Sequence, residues 1–314
     1  MKTTLLDWII CPSCLPAENG LSCHVENQTG QDIFKGTLHC DQCGADYQIQ
    51  DGLAFLLPRS ASSAQVGPSK YEDPISLSAY LWGHYADLFH DPDASSAYPT
   101  WSDLLDPAPG LALDLGCAVG RFTFEMSQKF DLAIGLDNSI QFVATARRLM
   151  TQGQIDFHLV EEGRLKSPRT IARPSNWDPG RVEFIVADAL ALPFKSGLFS
   201  AASSLNLLDK VPRPLVHLQE LNRISRNSGA QLLLSDPYSW STQVAAEADW
   251  LGGVLAGPFS GKGRDNVKAL LCGREAESLS PGWDVRHQGE VWWRLRNHAN
   301  HFELIRSCYI KTER

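Results

Sequence analysis

Nowhere in the 314 residues is there an unbroken apolar run of about 18, the length a membrane-spanning helix requires. The expectation is a chain with no membrane partner. The N-terminal stretch MKTTLLDWIICPSC has a single Lys, and Asp7 interrupts its apolar residues. It lacks a leader's long apolar segment and small-residue cleavage site, so a cytoplasmic location is expected. Basic charge is also scarce: 28 Lys and Arg stand against 36 Asp and Glu, a net charge of −8. Phosphate backbones are held by clustered cations, and this balance argues against a large nucleic-acid footprint. The small basic groups (Arg147 with Arg148, and Arg294, Arg296 and Arg306) have acids spread among them. A small-molecule substrate is the expectation.

Cysteine is present in a specific pattern. Eight cysteines without an export signal point to metal binding or burial rather than disulfides. Four stand as paired knuckles, Cys11-Pro-Ser-Cys14 and Cys40-Asp-Gln-Cys43. Two such knuckles brought together by strands offer four thiolates, the donor set of a closed tetrahedral zinc site. In a small unit with little core, a structural Zn2+ would supply much of the folding free energy. Cys23 and His24 lie nearby, but the paired knuckles need neither.

The chain divides into three stretches. Residues 1–60 hold a compact, turn-rich unit. A linker rich in Ser, Ala, Gly and Pro follows over 58–68, and residues 61–108 are expected as linker and helical cap over the active site. Within the cap, Leu77, Tyr80, Leu81, His84, Tyr85 and Leu88 recur at helical spacing over 75–89. From 109 to 314 strands and helices alternate. LALDL, LAIGLD, VEFIVAD, LFSAASSLN and QLLLSD read as strands; 122–130, 140–150 and 214–225 read as helices. That alternation means an α/β fold with a mostly parallel sheet. Residues 161–181 and 250–281 interrupt it and read as insertions, and the stretch 294–298 reads as a surface helix face.

The first strand ends in Asp114-Leu-Gly116-Cys117-Ala118-Val-Gly120-Arg121. Glycines here allow a sharp turn and a close helix, and bring backbone N–H groups towards a ligand. Asp137 then ends the second strand, followed by Asn138, and Asp188-Ala189 end the third. Three strand-end acids fall at one edge of the sheet, where open α/β folds bind ligands. Asp137 is placed to accept ribose hydroxyls, and Asp188 an adenine amino group. The pattern D-x-G-x-x-x-G resembles class I S-adenosylmethionine (SAM)-dependent methyltransferases, and departs from the G-x-G-x-x-G of dinucleotide enzymes. The resemblance implies a Rossmann-like fold, a mostly parallel seven-stranded sheet with helices on both faces, SAM as cofactor and S-adenosylhomocysteine as product. Ala118 stands where that class usually has Gly.

A narrower resemblance covers about residue 71 to the C-terminus. GCAVGR, YLWGHYADLF, DPGRVEFIVADAL, SLNLLDKVPRP, SDPYSW and DWLGG occur in this order. They are similar to the methyltransferase domain of ovothiol biosynthesis, which methylates the π nitrogen of the imidazole of 5-thiohistidine. The resemblance implies Asn206 in the pocket beside the SAM methyl, also touching the cofactor. It implies Tyr80, Tyr238 and Trp240 against the substrate, and His84, Tyr85 and Asp209 as groups that hold its tautomer or take a proton. Blander readings stand beside these: His84 as a buried helix residue, Trp240 and Trp250 as core, Asp209 as a cap. That pathway's domain is often fused to a sulfoxide synthase, which these residues do not include; a separate thiohistidine synthase is the expected pathway partner, or else the substrate has drifted. A homodimer is a further expectation.

CDQCGADYQIQDGLAFLLP, with the unit over 5–58, resembles the small zinc-ribbon activator of tRNA, rRNA and release-factor methyltransferases. A fused ribbon implies coverage of an apolar face of the catalytic domain in cis. Two rival functions follow: a methyltransferase of RNA or protein recruited through the ribbon, and a non-catalytic scaffold.

Overall fold

After two short 3-10 turns at Thr3–Asp7 and Pro12–Cys14, the chain forms four antiparallel strands: β1 (Ser22–Thr29), β2 (Asp32–Cys40), β3 (Ala45–Gln50) and β4 (Leu53–Leu56). Asp51 and Gly52 join β3 to β4 with both residues at positive φ, the geometry a two-residue hairpin turn requires. The computed structural model describes residues 1–59, 73–273 and 279–314. From residue 60 onward, the linker expected over 58–68 therefore lies outside the described residues.

Helix α1 (Pro74–Tyr85) starts at Asp73, whose carboxylate accepts the N–H groups of Ile75 at 2.7 Å and Ser76 at 3.1 Å. Then come α2 (Ala97–Asp103), β5 (Leu111–Leu115), α3 (Arg121–Met126), β6 (Leu132–Asp137) and α4 (Ile140–Gln152). Ser139 caps α4 through the Phe142 N–H, and Gly153 ends it in the left-handed region. The helix expected over 122–130 stops at Met126. After β7 (Gln154–Glu162) and β8 (Leu165–Ala172) follow β9 (Val182–Ala187), β10 (Phe199–Leu205), α5 (Pro214–Ile224), β11 (Gln231–Asp236), α6 (Gly263–Leu271), β12 (Asp284–His298) and β13 (His301–Glu313).

The insertion expected over 161–181 starts earlier, as the antiparallel hairpin β7–β8 with its own two-stranded sheet apart from the central one. One expectation is corrected. The stretch 294–298 is the end of strand β12: Val291, Trp293 and Leu295 are buried at every second position, with Trp292 half exposed. A period of two was present in the sequence, but charges at 294 and 296 obscured it.

Seven strands in the order β9-β6-β5-β10-β11-β13-β12 form the expected Rossmann-like sheet, parallel except for β13. β4 extends it by pairing in parallel with β9, Phe55 opposite Val186 and Leu56 opposite Ala187. The ribbon strands thereby lengthen it to eleven strands. One face carries α5, α6 and the ribbon in a single apolar cluster that joins Leu5, Ile9, Leu38 and Ile49 to Leu115, Ile185, Phe194 and Leu218. The opposite face is covered by α1 to α4. The N-terminal strands therefore share the core of the Rossmann-like fold rather than standing apart from it. Among the described residues no helix is long and apolar enough to cross a membrane.

Candidate active site

At the carboxyl edge of the sheet, where β5 and β10 lie side by side and the winding reverses, a cavity of about 690 Å³ opens. One end is built by the turn after β5. The N–H groups of Gly116 and Cys117 both donate to Leu136 O, at 2.8 and 3.0 Å, which ties the turn to β6. Ala118 lies at φ +45° and donates its N–H to Asp137 Oδ2 at 2.9 Å; Ser139 N–H takes the other carboxylate oxygen at the same distance. These two contacts fix the orientation of Asp137 at the cavity wall. Gly120, at φ +87°, has no room for a side chain: a Cβ would meet Phe184 Cζ at 2.7 Å and Ala146 at 2.8 Å.

Asp114 forms part of the cavity floor and is 2% exposed. Burial pushes its carboxyl up to about 7, although the hydroxyls of Thr123 and Ser203 donate to it at 2.8 and 2.9 Å. Asp188 accepts Leu190 N–H at 2.9 Å, and with Ala189 and Asn138 completes this end. Behind it His217 spans from Ser204 Oγ, 2.9 Å from Nε2, to Ala189 O, 3.3 Å from Nδ1; burial lowers its pKa to about 4.

The other end is aromatic. Tyr80 and His84 come from α1, Tyr98 from α2, Asn206 from the end of β10, and Trp293, Leu295 and Asn297 from β12. Asn206, at φ +57°, is anchored by its N–H on Ser235 O and accepts the Ser307 hydroxyl at Oδ1. His84 is buried, with its Nε2 2.6 Å from the Tyr98 hydroxyl.

Of the residues expected from the sequence, Tyr80, His84, Asp114, Gly116, Cys117, Ala118, Asp137, Asn138, Asp188, Ala189 and Asn206 line this cavity. Six do not. Gly120 lies behind the turn. Arg121 is buried in ion pairs with Asp87 at 2.7 Å and Glu125 at 3.0 Å. Tyr85 donates its hydroxyl to Val119 O at 2.7 Å and is fully enclosed. Asp209 lies beneath the surface, accepting Ser239 N–H at 2.7 Å and pairing with Lys210. Tyr238 and Trp240 turn towards Gly253 and Gly263, away from the cavity, while their neighbours Pro237 and Ser239 line it. Tyr98, Trp293, Asn297 and Glu303 were missed by sequence reasoning. The last three sit on the β12–β13 hairpin, which the helical reading of 294–298 concealed.

In the ribbon the four expected cysteines converge, their sulfurs all within 4.8 Å of one another. The Cys11–Cys43 and Cys14–Cys40 sulfurs are 3.6 and 3.7 Å apart. Thiolates at about 2.3 Å from a tetrahedral Zn2+ lie about 3.8 Å apart, so the donor set and its spacing fit that ion. Cys23 packs in the apolar cluster instead.

Residues 113–233 match the family described as a methyltransferase domain. Over 158 residues, 50% of this chain, the sequence is 22% identical to ajmaline N-methyltransferase of Rauvolfia serpentina; the match spans 46% of that protein's length. Among solved structures, a SAM-dependent methyltransferase from Methanosarcina mazei is similar at 16% identity and a TM-score of 0.44, over 69% of this chain and 97% of that one. A complex between the Haloferax volcanii Trm112 methyltransferase activator and a methyltransferase gives 16% identity and a TM-score of 0.38, over 62% and 71%. The sheet, the strand-end acids and the matched domain define a class I methyltransferase fold. The matched domain covers residues 113–233 alone, and the chain spans about half the length of the curated relative it matches.

Proposed function

We propose that the protein transfers the SAM methyl group to the imidazole π nitrogen of 5-thiohistidine, a step of ovothiol biosynthesis. The observation that carries this reading is the two-ended cavity, with acids at one end and His84, Tyr98, Asn206 and Trp293 at the other. The family-like segments YLWGHYADLF and SLNLLDKVPRP supply His84 and Asn206 to it. The relative's name, an N-methyltransferase of a small molecule, agrees in reaction class.

SAM fits the first end on the chain's own terms. Asp137 would hold the ribose hydroxyls, Asp188 and Ala189 the adenine, and the turn Gly116 to Ala118 the amino-acid part. When bound, SAM supplies an electrophilic methyl on a sulfonium. Everything else falls to the protein. A ring nitrogen with a free lone pair needs orientation and exclusion of water more than a strong base. Asn206 fixes the floor between the two ends, its side chain held by Ser307. Tyr80, Trp293 and Leu295 form the dry walls that confine a flat ring. Asp209 positions the loops after β10 and β11 by holding Ser239 N–H, rather than acting on the substrate. Cys11, Cys14, Cys40 and Cys43 would hold a structural Zn2+.

The test is direct: purified protein, SAM and 5-thiohistidine are incubated and the product is read by mass spectrometry and NMR. One methyl on the π nitrogen is expected. Bound SAM with unmodified 5-thiohistidine would remove the substrate assignment.

A further inference from the structure

Gly83 lies where α1 crosses β12. A Cβ there would stand 2.8 Å from Leu295 Cδ2 and 2.9 Å from Arg294 O, so glycine is what lets helix and strand touch. The close approach brings His84, the next residue, against the wall that contains Trp293. Each of these two side chains is 4% exposed, and both line the cavity. Neither His84 Nδ1 nor Trp293 Nε1 has a hydrogen-bond partner among the described residues.

The Tyr98 hydroxyl meets only His84 Nε2 among the described residues. Where the hydroxyl donates to Nε2 the ring proton stands on Nδ1, and this is the tautomer the subsite uses. Burial, reinforced by the Arg121 charge, lowers the imidazole pKa well below its usual value and keeps the ring neutral. The Trp293 indole is a donor only. Two buried N–H groups, on residues from different elements that line one cavity, therefore call for an acceptor.

We propose that His84 Nδ1–H and Trp293 Nε1–H form a two-donor subsite for an anionic acceptor on the methyl-accepting molecule, a thiolate or a carboxylate. An ionised acceptor gains most from two fixed donors in a dry wall. The acids in the cavity are engaged elsewhere: Asp137 and Asp188 at the cofactor end, Asp114 on Thr123 and Ser203, and Glu303 on the Asn297 amide at 2.9 Å. The subsite rests on the methyltransferase reading of the cavity and deepens it; with 5-thiohistidine the acceptor is the ring sulfur. His84 then acts as a donor that orients the ring, and the proton-accepting role falls away.

The test uses the full chain saturated with S-adenosylhomocysteine and titrated calorimetrically with imidazole, 4-mercaptoimidazole and imidazole-4-carboxylate. Rings bearing an anion are expected to bind at least about tenfold more tightly than imidazole. Trp293→Phe should abolish most of that preference while S-adenosylhomocysteine affinity stays within about twofold. If Trp293→Phe loses S-adenosylhomocysteine as well, His84→Asn, which keeps an N–H near Nδ1, decides: it should retain part of the preference where His84→Phe retains none. Tighter binding of the thiol identifies sulfur as the source, and tighter binding of the acid identifies a carboxylate. A wild-type protein without the preference, or without ring binding, overturns the subsite, as does a folded Trp293→Phe variant that keeps the preference in full. Anion preference without methylation of 5-thiohistidine leaves the subsite standing and removes the substrate. Methylation without the preference does the reverse.

Discussion

Ala118 and Gly120 occupy neighbouring left-handed positions in one turn, and they respond to substitution in opposite senses. Ala118 at φ +45° carries a Cβ in a region that disfavours one. Ala118→Gly should raise stability by up to about 1 kcal/mol, read from the denaturant midpoint, with the Asp137 contact intact. Gly120 is already the residue its site demands, and Gly120→Ala should cost more than about 2 kcal/mol, because Phe184 and Ala146 cannot both move aside. It should weaken SAM binding in the same variant. His217 provides the pH prediction. Its folded pKa is depressed to about 4, from an ordinary 6.5. Its neutral form is therefore favoured in the fold, and its contribution is complete above pH 6.5. It is lost as pH falls from 6.5 towards 4, by roughly 3 kcal/mol over the window. The Asp114 carboxyl, pushed up to about 7, acts in the opposite sense over the same range, so the His217 contribution is read as the difference in pH slope between thermal melts of the wild type and of His217→Gln.

Among the elements, the ribbon depends most on something besides packing. Its two knuckles bring four sulfurs within 4.8 Å of one another, a cluster that an ion would tie together. Purified protein should carry one zinc per chain by elemental analysis. Removal by a chelator should lower the melting temperature and loosen the β4–β9 pairing, seen as faster amide exchange at Phe55 and Leu56. Retained stability in metal-free protein would mean that the shared apolar cluster suffices. The elements also show how far sequence reading reaches. LALDL, LAIGLD and VEFIVA declared themselves because a strand buried on both faces needs an unbroken apolar run. The acidic end of the cavity was legible for the same reason: its acids sit at strand ends, so their positions follow from the strands. The aromatic end was not. Trp293, Asn297 and Glu303 reach the cavity only because β12 and β13 fold back across the sheet as a long hairpin, and that pairing is a property of the whole fold. Tyr85, Arg121, Asp209, Tyr238 and Trp240 were over-read because spacing gives proximity to a site without giving the direction of a side chain.

For the whole molecule, the decisive feature is that the ribbon and the catalytic fold are one structure. Arg147 on α4 joins them: its guanidinium pairs with Asp32 of β2, pairs at 2.8 Å with fully buried Glu183 of β9, and donates to Asp51 O at 3.1 Å. Gly52 leaves the space that this guanidinium fills. Arg147→Met should cost about 3–5 kcal/mol, because it strands the Glu183 charge in the core. The double variant Arg147→Met with Glu183→Gln should recover much of that loss, and calorimetric melts of the three proteins would read it. Separate melting of ribbon and catalytic fold in the wild type would contradict the shared core.

The central claim is that one cavity holds SAM at its acidic end and an imidazole ring at its aromatic end. A crystal structure with S-adenosylhomocysteine and 5-thiohistidine tests it most directly. The account predicts the ribose on Asp137, the adenine beside Asp188, and the imidazole ring between Asn206, His84 and Trp293 with its π nitrogen turned towards the cofactor sulfur. A ring bound outside that wall, or a cofactor held away from Asp137, would contradict it.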